Sequence, residues 1–123
     1  MTREQFEDLA QIAYDELPEF FKQKIDNVRI IVEEYPTEKE MHSVHLRSKH
    51  HLLGLYQGVP TTFRNTWYGA TPMMPDTIIL YQKNIESVCT TDEEIGKKIR
   101  DVLIHEIAHY FGMNEEQVRS AGY

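Results

Sequence analysis

The sequence predicts a small globular fold that combines α-helices with a few β-strands. Three observations support this prediction: an amphipathic stretch at the N-terminus, three short stretches rich in β-branched or aromatic residues, and a long apolar stretch near the C-terminus. The chain has 123 residues, of which 41% are hydrophobic, so it is long enough to bury one core. We therefore expect a single domain over residues 1–123, with no repeat or low-complexity tract dividing it.

The first helix is predicted from a capping pattern that precedes a helical repeat of apolar residues. Thr2 stands three residues before Gln5, which is the spacing of a capping box. The apolar stripe that follows contains Phe6, Leu9, Ala13 and Leu17. Pro18 interrupts this stripe and predicts a second short helix, because proline fits the first helical turn.

Three stretches are typical of strands, namely residues 28–32, 53–56 and 77–82. Between the first two, residues 37–51 are polar and rich in His, Lys and Ser, and we expect an exposed loop there. Residues 60–75 show no clear period, so we expect irregular structure in that stretch as well.

The clearest helix is predicted over residues 92–111. Thr91 with Glu94 gives a capping box, and acidic residues in the first turn favour the positive end of the helix dipole. One broad apolar arc contains Ile95, Ile99, Val102, Leu103, Ile107 and Phe111. Because the second half is apolar nearly all round, we expect this helix to be buried, and the ionisable residues within it need an explanation.

Those ionisable residues form the pattern His105-Glu106-x-x-His109. On a helix, two histidines four residues apart project from the same side and can bind one zinc ion at about 2.0–2.1 Å. Glu106 lies about 100° round from His105 and can serve as a general base toward a water on the metal. The alternative is a chance pattern whose histidines form hydrogen bonds with neighbouring backbone.

The residues after the motif favour the metal site. Gly112 can adopt the left-handed conformation that ends a helix and reverses the chain. Asn114 with Gln117 predicts a capping box at the start of a short terminal helix. A reversal at this point brings Glu115 toward the histidines as a third zinc ligand, with the adjacent Glu116 as a competing candidate.

Residues 105–112, together with the ending Ala121-Gly122-Tyr123, resemble the minimal zincin-like metallopeptidase family, a group of small bacterial proteins. Residues 54–60 and 75–81 are similar to the middle segments of that family, and the full HExxHxxGxxE pattern resembles the extended motif of the metzincins. The resemblance implies an α+β fold in which a small sheet packs against an N-terminal helix and a C-terminal HExxH helix. It also implies His105 and His109 as zinc ligands and Glu106 as the catalytic base.

The chain departs from the family pattern in two places. The family usually has Asp ten residues after the first histidine, where this chain has Glu115. Residues 37–51 are also longer and richer in histidine than the family pattern. Zincins bind peptides at a sheet edge beside the zinc, and the sequence leaves open whether residues 54–60 or 77–81 form that edge.

The expected activity is zinc-dependent hydrolysis of a peptide or protein substrate. Another divalent metal also suits two histidines and a carboxylate. Few residues follow Gly112, so the cleft is expected to be shallow and a partner protein could complete it. The alternative is a metal-stabilised regulatory or interaction module without turnover.

Composition limits the cellular compartment and the classes of partner that we expect. A net charge of −7 argues against nucleic acid, because an acidic surface repels phosphate. The N-terminus carries charges where a signal peptide needs an apolar run, and no apolar stretch is long enough to span a bilayer. A single cysteine, Cys89, forms no disulfide within the chain, so we expect a cytoplasmic protein without a membrane partner.

Two further groups have both a functional and a structural interpretation. A histidine-rich loop could form a second metal site, but its charged surroundings favour a solvated loop; its histidines are His42, His45, His50 and His51. Four aromatic residues are candidates for oxyanion stabilisation or for shaping a substrate pocket, although plain packing is the favoured interpretation: Trp67, Tyr68, Tyr110 and Tyr123.

Overall fold

The computed structural model describes residues 1–44, 48–58 and 75–123. Its elements, in chain order, are α1 (Arg3–Asp15), α2 (Glu19–Lys22), β1 (Val28–Glu33), α3 (Glu38–Ser43), β2 (Gly54–Gln57), β3 (Asp76–Tyr81), α4 (Gln82–Ser87), α5 (Asp92–Tyr110) and α6 (Glu115–Ser120). The fold is α+β, as the sequence predicts, with the N-terminal helix α1 and the HExxH helix α5 packed against one face of a small sheet. No described helix is both long and apolar enough to cross a membrane.

The sheet has three strands in the order β1-β3-β2. β1 is parallel to β3, with Val28 opposite Asp76, whereas β2 is antiparallel to β3, with Gly54 opposite Leu80. All six residues of β3 are buried, which agrees with its apolar run Ile78-Ile79-Leu80-Tyr81. Within the described part of the chain, β1 and β2 are therefore the edge strands and β3 is the central strand, so of the two candidate segments residues 54–57 lie at an edge.

The main core lies between α1, α5 and one face of the sheet. Because side chains alternate along a strand, this face carries Val32, Tyr56, Ile78 and Leu80. The helices contribute fully buried side chains, among them Phe6, Ile99, Leu103 and Ile107. Leu55, Ile79 and Tyr81 lie on the opposite face, where Val44 and Leu52 pack against them.

The predicted helix starts are observed, with one change. Thr2 and Gln5 form both hydrogen bonds of a capping box. Thr91 accepts the backbone N–H of Glu94, but the Glu94 carboxylate accepts from Thr90 and not from Thr91. The prediction of a full box at Thr91 is therefore half right, because the residue one position earlier supplies the second donor.

Several boundary predictions were wrong. Residues 38–43 form α3 and not a loop, because Thr37 and Glu40 make a capping box that the sequence interpretation missed. Gln82 begins α4 and does not extend β3, and Phe111 is 41% exposed and not part of the buried arc of α5.

Two further predictions concern Pro18 and the stretch 60–75. Pro18 is the N-cap of α2 and so stands one position before the first turn. The irregular structure predicted for residues 60–74 lies outside the described residues.

Candidate metal centre

The end of α5 determines where its two histidines lie. Leu103 and Ile107 are completely buried, and they fix the rotation of the helix so that His105 and His109 point to its accessible side. The helix ends in a Schellman motif, because Gly112 has φ of +79° and donates its N–H to the His109 carbonyl at 3.1 Å. The Met113 N–H bonds the Ala108 carbonyl at 2.8 Å and completes the reversal of the chain.

The reversed chain enters α6, which carries Glu115. Asn114 and Gln117 form both hydrogen bonds of the predicted capping box, at 2.8 Å each. Val118 is fully buried in the main core and so fixes α6 against the body of the protein. Glu115 is thereby held at the first position of a short, capped and anchored helix that faces the two histidines.

The three predicted ligands lie together. Glu115 Oε1 is 3.2 Å from Nδ1 of His105 and 3.3 Å from Nε2 of His109. A tetrahedral zinc ion with bonds of about 2.0–2.1 Å separates its ligand atoms by about 3.3–3.4 Å. Two of the three separations therefore already fit a zinc tetrahedron. One donor atom from each of the three residues lies within 4.8 Å of the others.

The charge state of Glu115 also suits a cation. Slight desolvation raises the pKa of Glu115, but the nearby charge of His105 and hydrogen bonds from both histidines outweigh it, and the pKa is lowered. A carboxylate that stays ionised next to two imidazoles is a donor set that suits zinc, iron or manganese. Glu116 is exposed and does not belong to this group.

Glu106 lies in a different environment from these three residues. It is partly buried, and its Oε1 accepts the backbone N–H of Tyr56 at 3.2 Å. Desolvation raises the pKa of Glu106, and the Tyr56 hydrogen bond together with the nearby charges of His109 and His105 offsets only part of this rise. A carboxylate with a raised pKa holds a proton more readily, as a general base must.

The spacing of every second residue along β2 matches the spacing of every fourth residue along α5. Two strand residues advance about 6.6 Å, and four helical residues advance about 6 Å. A Cβ atom at Gly54 would lie 2.6 Å from the Val102 side chain, and one at Gly58 would lie 1.9 Å from the Tyr110 hydroxyl. The two glycines therefore let α5 approach the edge strand closely, which brings Glu106 within reach of Tyr56.

A cleft of about 350 Å³ opens beside Glu106 and His105. Its walls come from the start of β2 and the preceding residues on one side and from α5 on the other. The lining residues are His51, Leu52, Leu53, Gly54, Lys98, Asp101, Val102, His105 and Glu106. The space next to the candidate metal ligands is thus continuous with the edge strand.

In the described part of the chain, the other predicted functional residues do not join the metal-ligating group, although His51 lines the adjacent cleft. His105, His109 and Glu115 are the one group of metal-ligating type found there, and His42, His50 and His51 form no second group. Tyr123 packs edge-to-face on Phe21 at 5.2 Å, as expected for an anchored terminus. His45, Trp67 and Tyr68 lie outside the described residues.

The sequence interpretation missed the contribution of β2 to the site. Neither the bond from Tyr56 to Glu106 nor the packing of Gly54 and Gly58 on α5 was anticipated. The available signal was the pattern Gly54-x-Tyr56-x-Gly58, which places two residues without side chains on one face of the strand.

Comparisons with known proteins agree with this architecture. A family model described as zincin-like metallopeptidase matches residues 25–123. A solved structure of a conserved hypothetical protein from Thermus thermophilus is similar at a TM-score of 0.55 and 22% sequence identity, covering 89% of this chain and 94% of that one. At this identity the similarity establishes the fold alone. A comparison with curated proteins finds no match.

Proposed function

Because the chain belongs to the zincin-like metallopeptidase family, we propose that it is a zinc-dependent peptidase with His105, His109 and Glu115 as metal ligands. The observation that carries the proposal is the position of Glu115 Oε1, at 3.2 and 3.3 Å from one nitrogen of each histidine. Capping, a Schellman motif and a buried valine hold the backbone of Glu115 in place, and its half-exposed side chain extends from there to the two histidines.

Glu106 is the proposed general base. Zinc, when bound, would supply Lewis acidity that activates water and polarises the scissile carbonyl. The Glu106 carboxylate accepts a proton from the attacking water and then passes it to the nitrogen of the leaving amine, so that one proton moves for each peptide bond cleaved. Burial, which raises the pKa of Glu106, favours this exchange because it brings the carboxyl group closer to the working pH.

The proposed substrate is an extended peptide segment that lies along β2. The cleft beside His105 and Glu106 is bounded by the start of this strand. A strand edge recognises backbone groups and takes side-chain preference from flanking pockets. The cleft is open on one side, and we propose that a folded protein substrate or a partner protein covers it during the reaction.

Replacing Glu106 by Gln separates the peptidase from a metal-binding module without turnover. The change removes the base but leaves the three proposed ligands, so we expect zinc content to stay at about one per chain and cleavage of a peptide library to fall by about 100-fold or more. Glu93→Gln, on the exposed first turn of the same helix, is the matched control and should behave as wild type. Equal cleavage by the two variants would reject Glu106 as the base.

A further inference from the structure

The backbone N–H and C=O of Tyr56 point away from the neighbouring strand β3. The N–H of Tyr81 bonds the carbonyl of Leu53 at 3.0 Å, so these two residues form a hydrogen-bonded pair of the antiparallel ladder. Such pairs alternate with non-hydrogen-bonded ones, and Tyr56 opposite Ile78 is therefore of the second kind. Its N–H is directed to the outer side of β2, the side from which another strand would approach.

Glu106 meets that N–H. Its Oε1 lies 3.2 Å from the Tyr56 nitrogen, and its Cγ lies 3.6 Å from the place of a Cβ at Gly54. The carboxylate oxygen therefore takes the place that a carbonyl oxygen of an added strand would take in strand addition. The Tyr56 N–H cannot bind both the Glu106 carboxylate and a carbonyl of an added strand linearly at a normal distance.

We infer that the Tyr56 N–H is the positioning donor for a carbonyl oxygen of the bound peptide, and that Glu106 occupies this position until the peptide displaces it. The inference rests on the proposed function, because the occupant is taken to be the peptide substrate. The proposed base thus acts as a built-in competitor of the backbone that it is to cleave. Binding of the peptide frees the Glu106 carboxylate from the strand.

This arrangement couples substrate binding to the position of the base. While no peptide is bound, the bond to Tyr56 holds Glu106 against β2. When a peptide carbonyl accepts this N–H, the carboxylate loses its partner. It can then bind water on the side of the two histidines. A charged acceptor binds an N–H more strongly than a neutral one does, so the wild-type edge resists weak or poorly aligned peptides.

The test uses the full-length protein in metal-free buffer with a chelator, so that no turnover occurs. Hydrogen exchange of the Tyr56 amide is followed by NMR in wild type and in Glu106→Ala, Glu106→Gln and Glu93→Ala variants. The probe for binding is a capped pentapeptide of alternating threonine and valine, chosen because these residues favour the extended conformation. The Leu80 amide, on the buried central strand, reports in the same spectra whether each variant remains folded.

We expect Glu106→Ala to accelerate exchange of the Tyr56 amide by about 10-fold or more and to tighten peptide binding by a similar factor. Glu106→Gln keeps an amide oxygen as acceptor, so it should retain most of the protection, and Glu93→Ala should match wild type. Unchanged exchange of the Tyr56 amide in Glu106→Ala would refute the inference that Glu106 occupies this N–H. Faster exchange without tighter peptide binding would overturn the role of Tyr56 in docking.

These outcomes are separable from failure of the proposed function. A protein that binds no zinc but shows the Tyr56 response would refute the peptidase and leave the competition for the edge intact. A protein that binds zinc and cleaves peptides with no Tyr56 response would refute the competition alone.

Discussion

Replacing Gly58 by Ala tests the close packing of the HExxH helix on the edge strand. The new Cβ would lie 1.9 Å from the Tyr110 hydroxyl oxygen and 2.6 and 2.9 Å from two ring carbons. These distances are too short for any contact, so one of the two partners must move. Tyr110 is held in place by its stack on Tyr56, with ring centroids 4.0 Å apart and an interplanar angle of 21°.

The magnitude follows from the cheaper of two adjustments. Shifting the strand to relieve overpacking costs about 1–3 kcal/mol. Swinging Tyr110 outward forfeits the aromatic pair, which contributes about 0.5–1.5 kcal/mol beyond its buried area. Alanine also restricts the unfolded chain and returns about 0.4–1 kcal/mol. The net expectation is a destabilisation of a few tenths of a kcal/mol, with an upper limit of about 1 kcal/mol.

The assay is urea unfolding of a double-mutant cycle with Tyr110→Ala. Tyr110→Ala removes all three of the atoms that lie nearest to the new methyl group, so in that background Gly58→Ala should change sign and stabilise the protein by about 0.4–1 kcal/mol. Gly96→Ala is the matched control, because its Cβ would meet only a Leu9 methyl at 4.0 Å. That change should be stabilising in both backgrounds. An equal effect of Gly58→Ala with and without Tyr110 would refute the packing argument.

Three further predictions concern the scaffold. Gly112→Ala forces a side chain into a φ of +79° and should lower the free energy of unfolding by about 1–2 kcal/mol in urea titrations, whereas no loss would contradict a left-handed helix end. Asn84→Ala removes two amide bonds to loop carbonyls, at 2.6 and 2.7 Å, and should cost about 2 kcal/mol; a thermal melt equal to wild type would exclude this brace. The pKa of Glu33 is raised above 4.5 by desolvation and by the charge and hydrogen bond of Glu40. The contribution of Glu33 to the free energy of unfolding is therefore fully present at low pH and is lost as the pH rises through the pKa of the folded state. Glu33→Gln should therefore match wild type below pH 4.5 and be the more stable protein near neutrality, and a constant difference across the pH range would refute the assignment.

The sequence predicted what depends on local chemistry. Capping pairs such as Asn114 with Gln117, and a glycine at the end of a helix, are short-range signals that act through the nearest backbone groups. The helical spacing of His105 and His109 and the reversal at Gly112 were enough to predict the approach of Glu115. For the same reason the prediction of α5 was wrong by only one residue at its C-terminal end.

What the sequence could not predict depends on contacts between distant segments. Tyr56 and Glu106 are 50 residues apart, and their bond follows from the order of strands in the sheet, which no local pattern encodes. The edge position of β2 has the same origin. The missed helix α3 is different, because its capping box was visible in the sequence, and the polar character of the whole segment concealed it.

Glu115 is proposed to complete a zinc site with the two histidines. The most direct measurement is the zinc affinity of untagged wild type, Glu115→Gln and Glu116→Gln by calorimetry, with elemental analysis of each protein. We predict about one zinc per chain in wild type and in Glu116→Gln, and a much weaker affinity in Glu115→Gln, since Glu116 lies outside the group of proposed ligands. Equal zinc affinity in all three proteins would show that Glu115 is not a ligand.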